Sequence, residues 1–574
     1  MKKMNRTFRH FLLGLGLGVV SVGAVSYDNY FELSKNLEIF STLFKELNVY
    51  YVDEIQPGEL TKTGIDAMLE SLDPYTVYIP ESDIEDHRLS TTGQYGGVGA
   101  VIRKKGDYVV VTEPYENYPA QKSGLMAGDV IMEVNGQSTK GKTTDDVVKI
   151  LRGAPNTAVD IKVQREGTDG ILTFSITRQE IKIQNVPYYG MVDQEIGYIR
   201  LRGFTNNAGN DVKDALTALK KDNPNMKGVV LDLRGNPGGL LREAINVVNV
   251  FVDRNQLVVS TKGKVDEWNK TYKTLNPGTD VNIPLAVIIN RGSASASEIV
   301  SGTIQDLDRG VVIGQRSYGK GLVQTTRPLI YNTQLKVTTS KYYIPSGRCI
   351  QALDYSHKNA DGSAGTIPDS LRSQFKTKNG RIVYDGGGIY PDVSIRPRKY
   401  SNVLRSLVNK NLIFDYATGY RVSHPSIADA RRFALTDEDY QLFVDFLKDK
   451  SYEYTTESEK LLEEFRETAQ KEKYYSEVET EFTALLDKKK TIKNNDLQKF
   501  KEEIREYLTD EIVARYYFQK GRIEAALVND QEVREAISIL KDQERYKTIL
   551  SGSYEIKLVD YEHELVDEEY VEEE

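Results

Sequence analysis

The residues with the strongest chemical implication lie in one run, Asn290-Arg291-Gly292-Ser293-Ala294-Ser295-Ala296-Ser297-Glu298-Ile299. Before it, Pro284 to Ile289 is a short apolar run of the buried-strand type; after it, Ile299, Val300, Ile304 and Leu307 recur at helical spacing. A strand, a tight turn of small residues and a helix place serines at a helix start. A hydroxyl there stands at the end of a sheet, beside unpaired N–H groups and the positive helix terminus. That position suits a nucleophile whose attack generates an oxyanion. Spacing alone leaves Ser293, Ser295 and Ser297 open. The base must come from elsewhere in the chain. Of the five histidines, His10, His87, His357, His424 and His563, none falls between 88 and 356. Lys320 is nearer, in Gly319-Lys320-Gly321, after the apolar run Val311 to Gly314. The glycines allow close backbone approach. A lysine with an unperturbed pKa of about 10.4 is a poor base, but burial among apolar groups disfavours its charged form. The chemistry expected is therefore that of a Ser–Lys pair.

Gly292-Ser-Ala-Ser-Ala-Ser-Glu298, followed by Tyr318-Gly-Lys-Gly-Leu-Val-Gln324, resembles the carboxyl-terminal processing proteases, or tail-specific serine proteases. Asp232-Leu-Arg-Gly-Asn-Pro-Gly-Gly239 matches that family's oxyanion-loop pattern, and the three motifs occur in the family's order. The resemblance covers roughly residues 28 to 395. It implies Ser295 as nucleophile and Lys320 as base, with precedent for a polar third residue at either Gln324 or Glu298. Gln324 shares a face with Lys320 if residues 320 to 326 are extended, and is the first candidate. Glu298, one helical turn after Ser295, is its rival, although a carboxylate close to Lys320 would keep the lysine protonated. The oxyanion hole is expected from the Ala296 amide and from Gly239 or Gly238, with Gly239 favoured, at a turn from strand into helix. No metal or organic cofactor is called for.

The elements that must hold these residues are legible as strands at 196–201, 228–233, 284–289 and 311–314, alternating with helices at 210–220 and 240–251, an α/β pattern. Upstream, residues 91 to 180 read as a small β-rich unit. Gly124-Leu-Met-Ala-Gly-Asp-Val-Ile-Met-Glu-Val-Asn-Gly136 resembles a PDZ domain. That likeness implies that the glycine loop Gly96-Gly97-Val98-Gly99 offers amides to a peptide's terminal carboxylate. The peptide would add as a strand beside Val98 to Ile102, with its apolar end near Val147 and Leu151. The fold class expected is an α/β catalytic core, a mixed sheet flanked by helices, with an inserted β-rich PDZ domain and helical N- and C-terminal regions. The divisions are 1–26, 27–90 (a helical cap), 91–180, 181–400 and 401–574.

The composition is 39% hydrophobic and 28% charged, with a net charge of -9 and no concentrated basic face, which argues against nucleic-acid binding. The single cysteine, Cys349, excludes an intramolecular disulfide and is expected to be a half-buried strand thiol. Lys2, Lys3, Arg6 and Arg9 precede an apolar run from Phe11 to Val25, the pattern of an export signal or an uncleaved membrane anchor. The expected location is extracytoplasmic, in the periplasm or cell envelope. The function implied is a serine endopeptidase that processes or degrades proteins recognised by their C-termini, with the PDZ domain binding the C-terminal peptide and gating activity. Its partners would be protein substrates with accessible C-termini, an activating lipoprotein or adaptor, and further copies of the chain through terminal helices. Among those helices, Ile504, Leu508, Ile512 and Tyr516 form a stripe suited to core or self-association. A catalytically silent PDZ adaptor is the competing function. A penicillin-recognising enzyme is disfavoured: Ser317-Tyr-Gly-Lys320 spells S-x-x-K, but its glycines oppose the helix that motif needs.

Overall fold

The computed structural model describes residues 30–359 and 362–554. The export segment at 1–26 and the acidic end at 562–574 lie outside the described residues. The chain divides into two units, 1–78 and 79–574. In the first, α1 (30–50) and α2 (Pro57–Glu70) are helical, and α2 starts with proline, whose missing N–H costs nothing at a helix start. Leu33, Leu37, Phe40 and Leu47 of α1 are exposed.

In the second unit, β1 (Gln94–Gly97) leads into β2 (Ala100–Lys105), β3 (Tyr108–Pro114), β4 (Val130–Val134), helix α3 (Thr144–Leu151), β5 (Ala158–Gln164), β6 (Ile171–Thr177) and β7 (Gln179–Lys182). Strands β2-β3-β4-β5-β6 form an antiparallel sheet with β2 at its edge. Val159, Ile161 and Val163 of β5 alternate inward, as a half-buried strand requires. Thr143 caps α3 and accepts from the Asp146 amide, while Asp146 accepts from the Thr143 amide, so two orphan N–H groups are satisfied together. β1 and β7 pair as a separate two-stranded ribbon.

The larger layer begins with β8 (Tyr188–Met191), β9 (Ile196–Arg200), α4 (Ala208–Asp222), β10 (Gly228–Asp232), α5 (Leu241–Phe251), β11 (Leu257–Gly263), β12 (Leu285–Ile289), α6 (Ala296–Asp306), β13 (Val311–Gly314), β14 (Leu322–Pro328), β15 (Gln334–Tyr343) and β16 (Val393–Ser394). The main sheet has the order β8-β9-β10-β12-β13-β16, parallel except for the β8–β9 pair. Every residue of β10 and β12 is buried, which explains their unbroken apolar runs: both faces are covered. On one face, Leu216, Val247, Val248 and Val300 from α4, α5 and α6 pack on Val229, Leu231 and Val287. β14 and β15 form a hairpin joined through β15 to β11.

Two short ribbons lie within residues 353–384, and after β16 the described chain is helical: α7 (Asn402–Asn409), α8 (Leu412–Ser423), α9 (Asp437–Phe446), α10 (Lys501–Ala526), α11 (Gln531–Lys541) and α12 (Gln543–Ile549), with further helices between α9 and α10. The last two cover the second face of the main sheet. Val533, Ala536, Ile539 and Leu540 of α11, with Tyr546 and Ile549 of α12, pack on Tyr198, Val230, Ala286 and Ile288. Of the two uses open to the helical stripe, core and self-association, the structure shows the first: Ile504, Leu508 and Ile512 are buried against Leu404, Leu407 and Phe443, and Tyr516 packs at the edge of that cluster. Cys349 is half-buried, but in irregular structure rather than a strand. Among the described residues no helix is long and apolar enough to cross a membrane.

Candidate active site

Three serines share the turn between β12 and α6, and their environments differ. Ser293 is fully buried; its hydroxyl donates to the Leu233 carbonyl at 2.8 Å and accepts from the Asn290 amide at 3.0 Å. Ser297 is equally buried and donates to the Asn236 carbonyl at 2.8 Å. Ser295 is half-buried and stands at the N-cap of α6 with φ 54° and ψ −110°. A non-glycine residue in that region is strained, and such strain collects at functional turns. The turn is held by the Ala294 amide on the Asn236 carbonyl (3.0 Å) and the Ser297 amide on the Ala294 carbonyl (3.0 Å).

Asn236 belongs to the loop that leaves β10. Its side-chain oxygen accepts the Gly238 amide at 2.9 Å, and its amide donates to the Leu201 carbonyl at 2.8 Å. The Gly238 amide is therefore engaged. The Gly239 and Ala296 amides make no hydrogen bond among the described residues. Both glycines have positive φ, 102° and 144°. A Cβ on Gly238 would lie 2.9 Å from Ser295 Cβ and 2.8 Å from the Ala294 oxygen, so only glycine lets this loop touch the serine turn. The Phe204 amide donates to the Gly238 carbonyl (3.1 Å), and the Phe204 carbonyl accepts from Leu240 (2.8 Å). At the loop's start, burial alone would raise the pKa of Asp232, but Arg200 and Arg234 outweigh it and hold the carboxyl well below the usual range. Arg234 also pairs with Asp530 at 2.7 Å, which ties the loop to the start of α11.

Lys320 is half-buried, in the irregular segment between β13 and β14. Its backbone and that of Ser295 meet on one side chain. Glu298 Oε2 accepts the Ser295 amide at 2.7 Å and the Lys320 amide at 2.9 Å. Glu298 Oε1 accepts the Gly319 amide at 2.7 Å and the Ser317 hydroxyl at 2.5 Å. Burial pushes the Glu298 pKa up to about 7, against the opposing pull of these four donors. Glu298 thus meets Lys320 at the backbone amide. The β14–β15 register shifts between Val323 and Gln324, where Thr339 of β15 is the extra residue, and Gln324 Nε2 donates to Thr338 Oγ1 at 3.2 Å. Lys320 itself precedes β14, which begins at Leu322, so it lies outside the strand whose alternation would align it with Gln324.

Two polar groups of this site lacked a sequence signal. Ser317, which looked like half of an S-x-x-K coincidence, orients Glu298 and accepts the Ile389 amide at 2.6 Å. Tyr342, a buried aromatic of β15, places its hydroxyl 2.5 Å from the Lys320 carbonyl and 3.2 Å from the Ser295 carbonyl.

In the ribbon beside the smaller sheet, Gly96 and Gly97 belong to β1 rather than to a free loop, because they pair with Glu180 and Gln179. Gly96 is needed for close approach: a Cβ there would meet the Gly153 oxygen at 2.1 Å. The Val98 and Gly99 amides, just past the strand, make no hydrogen bond among the described residues. These two remain for a carboxylate. Val98, Ile102, Val147 and Leu151 form one buried cluster between the β2 edge and α3.

Family models match three parts of the chain: peptidase family S41 over residues 195–357, a PDZ domain over 110–165, and "Probable PDZ-protease, C-terminal helical domain" over 403–540. A carboxy-terminal-processing protease of Bartonella bacilliformis is 37% identical over 356 residues, 61% of this chain and 81% of the relative. A "Probable CtpA-like serine protease" of Staphylococcus aureus is 37% identical over 318 residues, 55% of this chain and 62% of the relative. Among solved structures, the photosystem II D1 C-terminal processing protease is 30% identical, covering 57% of this chain and 91% of that one, with a TM-score of 0.33. On these matches the chain belongs to the carboxy-terminal-processing serine proteases of peptidase family S41 and carries a PDZ domain.

Proposed function

We propose that this serine protease is an extracytoplasmic endopeptidase that works by a Ser295–Lys320 dyad on proteins selected by their C-termini. The observation that carries the reading is the serine turn: one half-exposed serine at φ 54°, beside two buried and fully engaged neighbours, with its amide on the same Glu298 oxygen as the Lys320 amide. Neutral Lys320 takes the proton from Ser295 Oγ as that oxygen attacks the peptide carbonyl carbon. The Gly239 and Ala296 amides receive the oxyanion. The lysine ammonium then protonates the leaving amine, and the same amine later takes a proton from the water that releases the acyl-enzyme. The basic and apolar start of the chain supports export. The test is covalent: a peptidyl phosphonate incubated with protein lacking residues 1–26 is expected to label Ser295 alone, mapped by mass spectrometry. Labelling at Ser293 or Ser297, or labelling undiminished in Lys320→Ala, would sink the dyad.

We also propose that the PDZ module restrains the protease until a C-terminal peptide with an apolar end binds between β2 and α3. Two contacts support this. The β1–β7 ribbon ends at Gly93, whose missing side chain makes room for Thr205, the neighbour of the Phe204 that holds Gly238 and Gly239. The module is also clamped to the helical region: the Phe414 ring lies between the Arg103 and Arg515 guanidinium groups, each 4.3 Å from its centroid, and Lys105 pairs with Asp415 at 2.6 Å. Removing that ring opens a cavity worth about 3–5 kcal/mol of docking. Phe414→Ala is therefore expected to raise cleavage without peptide severalfold and to shrink its stimulation by added C-terminal peptide. A fall in both rates would favour simple tethering of substrate by the PDZ module. Helices at the chain's ends are further proposed to join copies of the chain, which light scattering after gel filtration would test.

A further inference from the structure

Beyond the dyad itself, we infer that Tyr342 is a positioning residue that holds the Ser295 and Lys320 backbones in register; the inference rests on the proposed Ser–Lys reading. The two peptide segments, 25 positions apart in the chain, approach one another only through tertiary contacts. Their amides share Glu298 Oε2. Their carbonyls share the Tyr342 hydroxyl, at 3.2 and 2.5 Å. Each segment is thus gripped on its N–H side by a carboxylate and on its C=O side by a phenol.

The phenol has one proton to give. The shorter distance directs it mainly to Lys320. The Ser295 carbonyl is already fixed by the Glu298 and Ile299 amides, both at 2.9 Å, in the first turn of α6. The Lys320 segment is irregular and has no such ladder. Backbone bonds hold its flanks, the Tyr318 amide on the Ser293 carbonyl (3.0 Å) and the Ala352 amide on the Gly319 carbonyl (2.9 Å), but Lys320 itself is held by side chains: Glu298 at its amide and Tyr342 at its carbonyl, with Gln351 at the next amide, that of Gly321 (2.7 Å). Tyr342 suits this use because it is fully buried and its own amide donates to the Gly321 carbonyl at 3.0 Å, so backbone and side chain of one residue hold consecutive carbonyls. A reacting pair must stay within a fraction of an ångström of its productive geometry, and a shift of about 1 Å costs about 100-fold in rate. Deleting the hydroxyl loosens the base while leaving substrate contacts alone.

The experiment is steady-state cleavage of an unstructured protein with an apolar C-terminus by Tyr342→Phe, with Ser295→Ala alongside. Expected is a fall in kcat of about 10- to 100-fold with KM within about twofold of the parent, and an equal fall in the rate of phosphonate labelling. A merely structural role would instead lower the active fraction, titrated by the end-point of labelling, and leave kcat per labelled site unchanged; that result would overturn the inference, as would a parental kcat. Should Tyr342→Phe fail to fold, 4-aminophenylalanine at 342, which keeps a donor at the ring tip, gives the second reading. Active-site-normalised kcat within about threefold of the parent supports the role, and a loss of about tenfold or more overturns it. Activity persisting in Ser295→Ala would instead overturn the dyad.

Discussion

Ser295→Ala and Lys320→Ala are each expected to lower turnover of an unstructured protein by about 10⁴-fold or more, and the double variant to fall no further than either alone. The reason is that a nucleophile without its base, or a base without its nucleophile, performs no part of the acyl transfer, so the two losses do not add. The activity that survives would come from the Gly239 and Ala296 amides and from binding. KM should change little, because neither side chain is needed to hold the chain beside the site. Lys320→Arg is expected to be as inactive as alanine, since a guanidinium does not give up its proton in this range. Ser293→Ala and Ser297→Ala behave differently. Each loses a buried hydroxyl bond, and Ser293→Ala also leaves the Asn290 amide without its acceptor, at about 1–3 kcal/mol of stability. They should melt earlier and retain chemistry per folded molecule. The measurement is initial rate against substrate concentration, normalised by phosphonate titration, beside thermal melts. A double variant ten times slower than either single one, or a Ser293→Ala protein that is folded and silent, would show that the turn has been assigned to the wrong serine.

How far the sequence reaches is visible in this turn. Strands β10 and β12 are unbroken apolar runs because helices cover both faces, so their positions could be read directly. The choice among three serines could not, because residue types do not record that Ser295 alone adopts φ 54°. Gln324 was placed by strict alternation from Lys320, but composition does not record that β14 begins only at Leu322 and leaves Lys320 in irregular structure. Glu298 was weighed against Lys320 as charge against charge, whereas its oxygens are taken up by three backbone amides and the Ser317 hydroxyl. Three of those partners, Ser317, Gly319 and Lys320, lie 19 to 22 positions away and are brought to Glu298 by tertiary packing. The same holds for α11: the spacing of Val533, Ala536, Ile539 and Leu540 describes an amphipathic helix, but not that its partner is the back of a sheet formed more than two hundred positions earlier.

Glu298→Gln is expected to cost about 100-fold in kcat and to remove an acid limb of the pH profile centred near pH 7. The carboxylate accepts four donors and, as an anion, can satisfy all of them. A glutamine has one accepting oxygen; its NH2 would face either the Ser295 and Lys320 amides or the Gly319 amide and Ser317 hydroxyl. Either way donors meet donors, at about 1–3 kcal/mol for each group left unpaired. A misplacement worth about 3 kcal/mol corresponds to about 100-fold in rate. Protonation does to Glu298 what the amide does, since one oxygen becomes a donor. With its pKa raised to about 7 by burial, the parent should lose activity as pH falls through that value. The sign for stability is opposite. A folded-state pKa above the unfolded one means that the folded protein binds the extra proton, so this group's stabilising contribution is full below about pH 4.3 and disappears as pH rises through about 7. Activity and stability should therefore diverge between pH 5 and 8 in the parent, and that divergence should shrink in Glu298→Gln, whose melting temperature no longer carries this titration. A glutamine variant within about fivefold of parental kcat, or one that keeps the limb at pH 7 unchanged, would mean that the four donors do not set the reacting geometry and that the limb belongs to another group.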